Sequence, residues 1–307
     1  MDKGAKSESD NTFTARCRLL QSIHRETILK EYYGKGPHPN SPNKYGNMLI
    51  NGEKSGSNFL NDYTFQYVKF KVLEKQINPV LTIDEHRLFN NMLSSMPMAF
   101  NLFGLIRKFL EDQNPVATEI IKAAFPSIEW IDKVSFLDVE FIPRPIPNYT
   151  NDKSAFDVMI LAKDGKGKEG IISIETKYTD LLGSNSSSQK EPDIKKKLIK
   201  EERIFSDPAY VPEKYSQLDR NFLLTLAYKK VHKLKYFEHV ILSPKEDHHS
   251  HKEISAFKEI LNTEFKNKII KVDIEEFVER TNNCNSEEYE KLINKFYTRY
   301  LDFSMFS

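Results

Sequence analysis

Three consecutive stretches decide the fold: Ala155-Phe156-Asp157-Val158-Met159-Ile160-Leu161, then Lys163-Asp164-Gly165-Lys166-Gly167-Lys168-Glu169-Gly170, then Ile171-Ile172-Ser173-Ile174-Glu175-Thr176-Lys177-Tyr178. The outer two are aliphatic and β-branched, and the middle one is glycine-rich and charged. Together they predict an antiparallel hairpin of buried strands. Residues two apart in a strand share a face, so Glu175 and Lys177 project together and Thr176 projects away. Asp157 opens the first strand and Glu175 lies near the end of the second. Antiparallel pairing therefore brings Asp157, Glu175 and Lys177 to one end of the hairpin, where apolar side chains would be cheaper to bury.

These residue types suit one chemistry. Magnesium takes hard oxygen ligands and is commonly held by one or two carboxylates plus water and phosphate oxygens. Asp157 and Glu175 are the expected side-chain ligands, with the Thr176 carbonyl as a backbone ligand. Such an ion acidifies water and offsets charge in phosphodiester hydrolysis, and Lys177 would orient the attacking water. The competing reading is a hairpin with an exposed salt bridge, because Asp, Glu and Lys are common residues.

Outward from the hairpin, periodicity defines the rest. Val134–Ile142 alternates as a strand with Glu140 embedded, ended by Pro143, Pro145 and Pro147. Before it, Thr14–Tyr33, Asn61–Gln76, Thr82–Met96, Met98–Glu111 and Ala117–Phe125 read as helices, with Gly34–Ser57 as a long loop. After it, Asp180–Tyr215 is polar and lysine-rich. Ser216 caps a helix reaching about Tyr236, and His239–Ser243 and Ile269–Asp273 are strands. Glu253–Thr263 and Glu287–Tyr300 are amphipathic helices. A three-strand meander, a crossover helix and a further strand give an α/β fold, a mixed sheet flanked by helices. No glycine-rich dinucleotide or phosphate-loop fingerprint occurs.

The chain has 307 residues and a formal net charge of +1, so no global basic field attracts nucleic acid and a local groove must serve. Its two cysteines, Cys17 and Cys284, form no metal-type pair, which suits a reducing cytoplasm. No run approaches a membrane span, and Met1–Asn11 has the polar character of a tail without a signal peptide. The expected organisation is a disordered tail at 1–12, a helical region at 13–96 packed on the core, and the core at 97–307.

The residue order Asp157, Glu175, Thr176, Lys177 within this element order resembles the PD-(D/E)XK nuclease superfamily. Further stretches are similar to a bacterial family of restriction endonucleases within it. They are Asn91-Met92-Leu93-Ser94-Ser95-Met96-Pro97, Phe100-Asn101-Leu102-Phe103-Gly104, Ile174-Glu175-Thr176-Lys177-Tyr178-Thr179-Asp180, Gln217-Leu218-Asp219-Arg220-Asn221 and Arg299-Tyr300-Leu301. Phe156 stands where the superfamily's name has Pro. The resemblance implies a restriction-endonuclease-like core and Mg2+-dependent phosphodiester hydrolysis, with Mn2+ as a substitute. It implies nucleic acid as partner, double-stranded DNA first, and a restriction-like or phage-defence role, with a homodimer or a defence-system partner as options. A binding or structural subunit that does not cut is the alternative.

Four further features carry expectations. Gln217 and Arg220 share a helix face and, by the resemblance, complete the active site. Glu140 and Glu119 are further candidate ligands, each with a surface role as the simpler reading. Lys195, Lys196, Lys197, Lys200 and Arg203 form the strongest basic cluster, which either lines a DNA groove or is a solvated helix face. Asp247-His248-His249-Ser250-His251 lacks the second ligand pair of a structural zinc site and reads as a loop.

Overall fold

A computed structural model describes residues 7–78, 80–183 and 193–304. In chain order the elements are α1 (Thr12–His24), β1 (Tyr33–Lys35), β2 (Lys44–Leu49), α2 (Gly52–Ser55), α3 (Asp62–Ile77), α4 (Glu85–Asn90), α5 (Ser95–Glu111) and α6 (Val116–Ala124). There follow β3 (Lys133–Phe141), β4 (Phe156–Lys163), β5 (Glu169–Thr176), α7 (Asp193–Glu202), α8 (Gln217–Val231) and β6 (Tyr236–Ser243). The chain closes with α9 (His248–Ile260), α10 (Thr263–Lys266), β7 (Ile269–Asp273), α11 (Ile274–Thr281) and α12 (Glu287–Tyr300).

The five-stranded sheet has the order β3-β4-β5-β6-β7. Strands β3, β4 and β5 form the antiparallel meander, and β6 and β7 add in parallel. This is the mixed α/β sheet expected from the sequence. Alternation along the strands supplies both faces with apolar side chains. Val158, Ile160, Ile172, Ile174, Val240 and Leu242 pack under α5, α6, α11 and α12. Met159, Ile171, Phe237 and Ile241 pack under α7, α8 and α9. A sheet covered on both faces needs hydrophobic strands throughout, so the charged residues at the strand ends stand out.

Parallel pairing of β5 and β6 requires a crossover, and α8 provides it. A crossover helix runs back along the sheet, so the first turn of α8 lies at the carboxyl end of β5. Its start is fixed by a reciprocal cap: Asp219 N donates to Ser216 Oγ (3.1 Å) and Ser216 N donates to Asp219 Oδ2 (2.8 Å).

Several expected boundaries move. Residues 34–57 are not one loop: β1 and β2 pair as a small antiparallel sheet. The pairing is tight, since a Cβ on Gly34 would sit 2.3 Å from the Leu49 carbonyl oxygen, a closeness that the sequence pattern does not express. The first helix turns into a π-helical turn at Arg25–Leu29 and stops there. The stretch expected as one helix over Thr82–Met96 is the short α4, a break, and the start of α5. Ser94 caps α5 through the Met96 N–H (3.2 Å), and Pro97 sits in its first turn, where a missing N–H is tolerated. The polar segment 180–215 contains α7. Of the expected tail, residues 1–6 lie outside the described residues, whereas Asp10 pairs with Arg18 (2.6 Å) and Asn11 caps α1.

Helices α3 and α5 approach closely at Gly104, where an added Cβ would meet Thr64 Oγ1 at 2.6 Å. Gly104→Ala gains about 1 kcal/mol of helix propensity but overpacks the contact at a cost of about 1–3 kcal/mol. Urea unfolding should show a net loss of about 1 kcal/mol, recovered in the Thr64→Ala/Gly104→Ala double variant. Equal stability of the single variant and wild type would show that the two helices separate freely.

Candidate active site

Strand register builds the site. The Val158–Ile174 pairing sets Glu175 across from Asp157, and the Val139–Val158 pairing sets Glu140 across from Asp157 on the other side. Three carboxylates therefore stand in one row over three adjacent strands. Glu140 has φ 53°, a left-handed conformation uncommon for a residue with a side chain. Such strain in a strand persists only where its surroundings hold it, and functional sites are where it concentrates.

The row lines a cleft of about 310 Å3, together with Lys177 and, from α8, Gln217, Arg220 and Asn221. Glu175 is the hub. Its Oε1 accepts from Lys177 Nζ (2.7 Å) and from Gln217 Nε2 (2.5 Å), and its Oε2 accepts from Asn221 Nδ2. The Gln217 amide closes the triangle, its Oε1 accepting from Lys177 Nζ at 2.8 Å. Gln217 thus fixes Glu175 and Lys177 relative to each other. Arg220 anchors to the Tyr215 carbonyl (2.8 Å) and faces the cleft.

Asp157 is held differently. Its Oδ2 accepts from Thr176 N (2.8 Å) and Thr176 Oγ1 (2.9 Å). The hydroxyl of Thr176, expected to project away from Glu175 and Lys177, thus meets the Asp157 carboxylate. The β4–β5 ladder ends at Val158–Ile174, and beyond it the carboxylate reaches across the strand end to Thr176.

The electrostatics follow from burial and like charge. Burial raises the Glu175 pKa from 4.5 to about 7; the neighbouring Asp157 charge adds to the rise and Lys177 opposes it. Burial and then Asp157 lift Glu140 to about 8. Burial disfavours the Lys177 ammonium, but Glu175 and Asp157 outweigh that and its pKa is raised. Crowded carboxylates of this kind suit a cation. Among the described residues no three Asp, Glu, His or Cys side chains form a metal cage by themselves. The donors around Asp157 and Glu175 are hard oxygens in an open cleft, which fits an ion completed by water and substrate oxygens.

Other expected residues are placed elsewhere. Glu119 is exposed on α6 and its charge acts on Cys284, not on the cleft. Lys195 is buried, 2.5 Å from Asp152 Oδ2, with its ammonium 4.9 Å from the Tyr215 ring centre. Lys196, Lys197, Lys200 and Arg203 are exposed, and none lines the cleft. Lys197 lies 3.7 Å from Glu201, as on a solvated helix face. In the histidine tract Asp247 caps α9, and His249 Nε2 lies 2.7 Å from the Leu182 carbonyl oxygen.

Among the cleft residues that the sequence does not assign a role are Asn221 and Arg87. Asn221 was recoverable, because it is one turn beyond Gln217 on the same helix face. Arg87 of α4 had no local signal. It reaches the cleft, where its Nη2 donates to Asp180 Oδ2 (2.8 Å) and its charge lowers the Glu140 pKa.

A family model described as the PD-(D/E)XK nuclease superfamily matches residues 8–302. No curated protein and no solved structure matches the chain. Among the described residues, no helix is long and apolar enough to cross a membrane.

The raised carboxylate pKa values set a pH dependence for the metal-free protein. The folded state binds these protons more tightly than the unfolded one, so their contribution to stability is fully present below 4.5. It is lost as pH rises through about 7 for Glu175 and about 8 for Glu140. In EDTA, the melting temperature should fall from pH 5 to 8, and Glu140→Gln/Glu175→Gln should flatten that fall. Superimposable pH profiles for the two proteins would remove the crowding argument.

Proposed function

The chain belongs to the PD-(D/E)XK nuclease superfamily, and on that premise we propose that it is a metal-dependent endonuclease acting on DNA. The observation that carries this reading is the single cleft shared by Glu140, Asp157, Glu175 and Lys177. Asp157, Glu175 and the Thr176 carbonyl are the groups that would hold Mg2+ or Mn2+, with Glu140 as a further ligand. When bound, the ion supplies an acidified water and offsets charge on the phosphoryl oxygens.

The chain's own residues do the rest. Lys177, fixed by Glu175 and Gln217, places an ammonium where it orients the attacking water and stabilises developing negative charge. Gln217 and Asn221 keep Glu175 aimed, so α8 acts as the rear wall of the site. Arg220 and Arg87 bring guanidinium groups to the cleft, suited to phosphates on either side of the scissile bond. Duplex DNA as substrate, a homodimer or protein partner, and a restriction-like or phage-defence role rest on the family resemblance. No observation favours a subunit that binds without cutting: the acidic pair and the lysine are all present and face one cleft.

Purified protein incubated with plasmid DNA and Mg2+ should nick or cut it, and EDTA should stop the reaction. Asp157→Ala and Glu175→Ala should each abolish cleavage with the circular dichroism spectrum unchanged. Gln217→Ala should lower the rate on the order of 10²-fold, as for loss of one positioned donor. Wild-type rates in both carboxylate variants would end the nuclease assignment to this cleft.

Lys177 separates catalysis from binding. Lys177→Ala should retain DNA affinity in a gel-shift titration with Ca2+ yet lose turnover. Lys177→Arg should not restore it, because a planar guanidinium does not replace a compact ammonium. Normal cleavage by Lys177→Ala would reduce the Glu175–Lys177 pair to a salt bridge.

A further inference from the structure

Of the three carboxylates in the row, Glu140 alone has a left-handed backbone. Strain of this kind persists only where its surroundings over-determine it. The residues that do so lie one and two positions upstream. Strand β3 is the edge of the sheet, so no strand covers its outer side, and side chains of α3 reach it instead. The Val139 N–H donates to Tyr67 Oη (2.8 Å), and that hydroxyl donates in turn to Asp138 Oδ1. Burial, and then the Asp138 charge, push the Tyr67 pKa well above its usual 10, so the hydroxyl stays a donor. One turn further along α3, Lys71 Nζ donates to Asp138 Oδ2 (3.0 Å). Arg107 of α5 lies over the Tyr67 ring, 4.2 Å from its centre, and 3.9 Å from Asp138 Oδ1.

Tyr67 and Lys71 are both buried, and Lys71 also meets Glu74 (3.1 Å). A buried ion pair adds little net stability over apolar side chains of similar size. Stability therefore does not account for such a cluster at a sheet edge, whereas position does. The cluster fixes the chain at Asp138 and Val139, and Phe141 is fixed by its pairing with Phe156 on β4. Glu140 is the single residue between these two points, so its backbone conformation is set from both sides.

We propose that Tyr67, Lys71 and Asp138 form a clamp that holds Glu140 in its left-handed conformation and so presents the third carboxylate to the cation. None of the three lines the cleft, so they act as positioning residues through Glu140. Groups that orient a metal ligand from outside the ligand set commonly govern affinity for the ion. The metal half of this inference rests on the proposed metal site, and the backbone half does not.

Two readouts on the full chain separate the clamp from plain structural support. Crystal structures of metal-free Tyr67→Phe and Lys71→Met should show Glu140 outside the left-handed region, with the strand pairing kept. Calorimetric titration of Mn2+ should show each variant weakened about tenfold, the scale expected when a ligand loses its orienting partner. Glu74→Gln breaks the other Lys71 pair and leaves Asp138 engaged, so it should bind Mn2+ as wild type does. In a Glu140→Ala background, Tyr67→Phe should lose no further affinity, because the clamp acts only through Glu140. Glu140 keeping its wild-type φ in both variants would overturn the clamp. So would an equal loss of affinity in Glu74→Gln, or a further loss in the Glu140→Ala background. Wild-type protein that takes up no Mn2+ would overturn the metal reading instead, and the Glu140 backbone in the two variant structures would then decide the clamp alone.

Discussion

The constraint on which this structure turns is the crowding of Glu140, Asp157 and Glu175 on three neighbouring strands. Carboxylates held side by side in a partly buried cleft repel one another, and burial adds to the cost of ionising them. The raised pKa values of Glu140 and Glu175 are that cost expressed as retained protons. A sheet covered on both faces gives these groups no route to solvent except the strand ends. They collect where β4 and β5 stop pairing, at the carboxyl end of β5. A divalent cation would relieve that repulsion, which is the physical ground of the proposed metal site.

Everything around the row holds it in place. The crossover that parallel pairing of β5 and β6 demands delivers the first turn of α8 to Glu175. Its cap by Ser216 and Asp219 fixes the angle at which Gln217 and Asn221 reach the carboxylate. Lys195 braces the same corner from outside. Its ammonium pairs with Asp152 on the segment leading into β4 and lies against Tyr215, next to the cap. A lysine followed by two exposed lysines thus ties the segment leading into the Asp157 strand to the α8 turn. Arg87 closes the cleft from the helical region that precedes the sheet.

The hairpin and its charged end were legible because turn chemistry and strand alternation are local signals, and register follows once the turn is placed. The mixed sheet was legible for the same reason: the element order leaves few topologies. Glu140 was visible only as a charge in an apolar run. Strand register sets it across from Asp157, and no pattern announces its left-handed backbone. Arg87 was illegible because its partners lie in another part of the chain. Burial of Lys195 is not legible because a three-lysine run reads as a DNA groove or a solvated face, and its partner Asp152 lies before β4. The β1–β2 pair was missed because glycine, proline and asparagine mark turns as readily as they permit the close strand contact at Gly34.

The most direct measurement of the central claim is calorimetric titration of Mn2+ into the protein without nucleic acid. Uptake should be saturable, raise the melting temperature, be weakened or lost in Asp157→Ala and Glu175→Ala, and persist in Lys177→Ala. Absence of saturable uptake up to millimolar Mn2+, or uptake unchanged in both carboxylate variants, would contradict it.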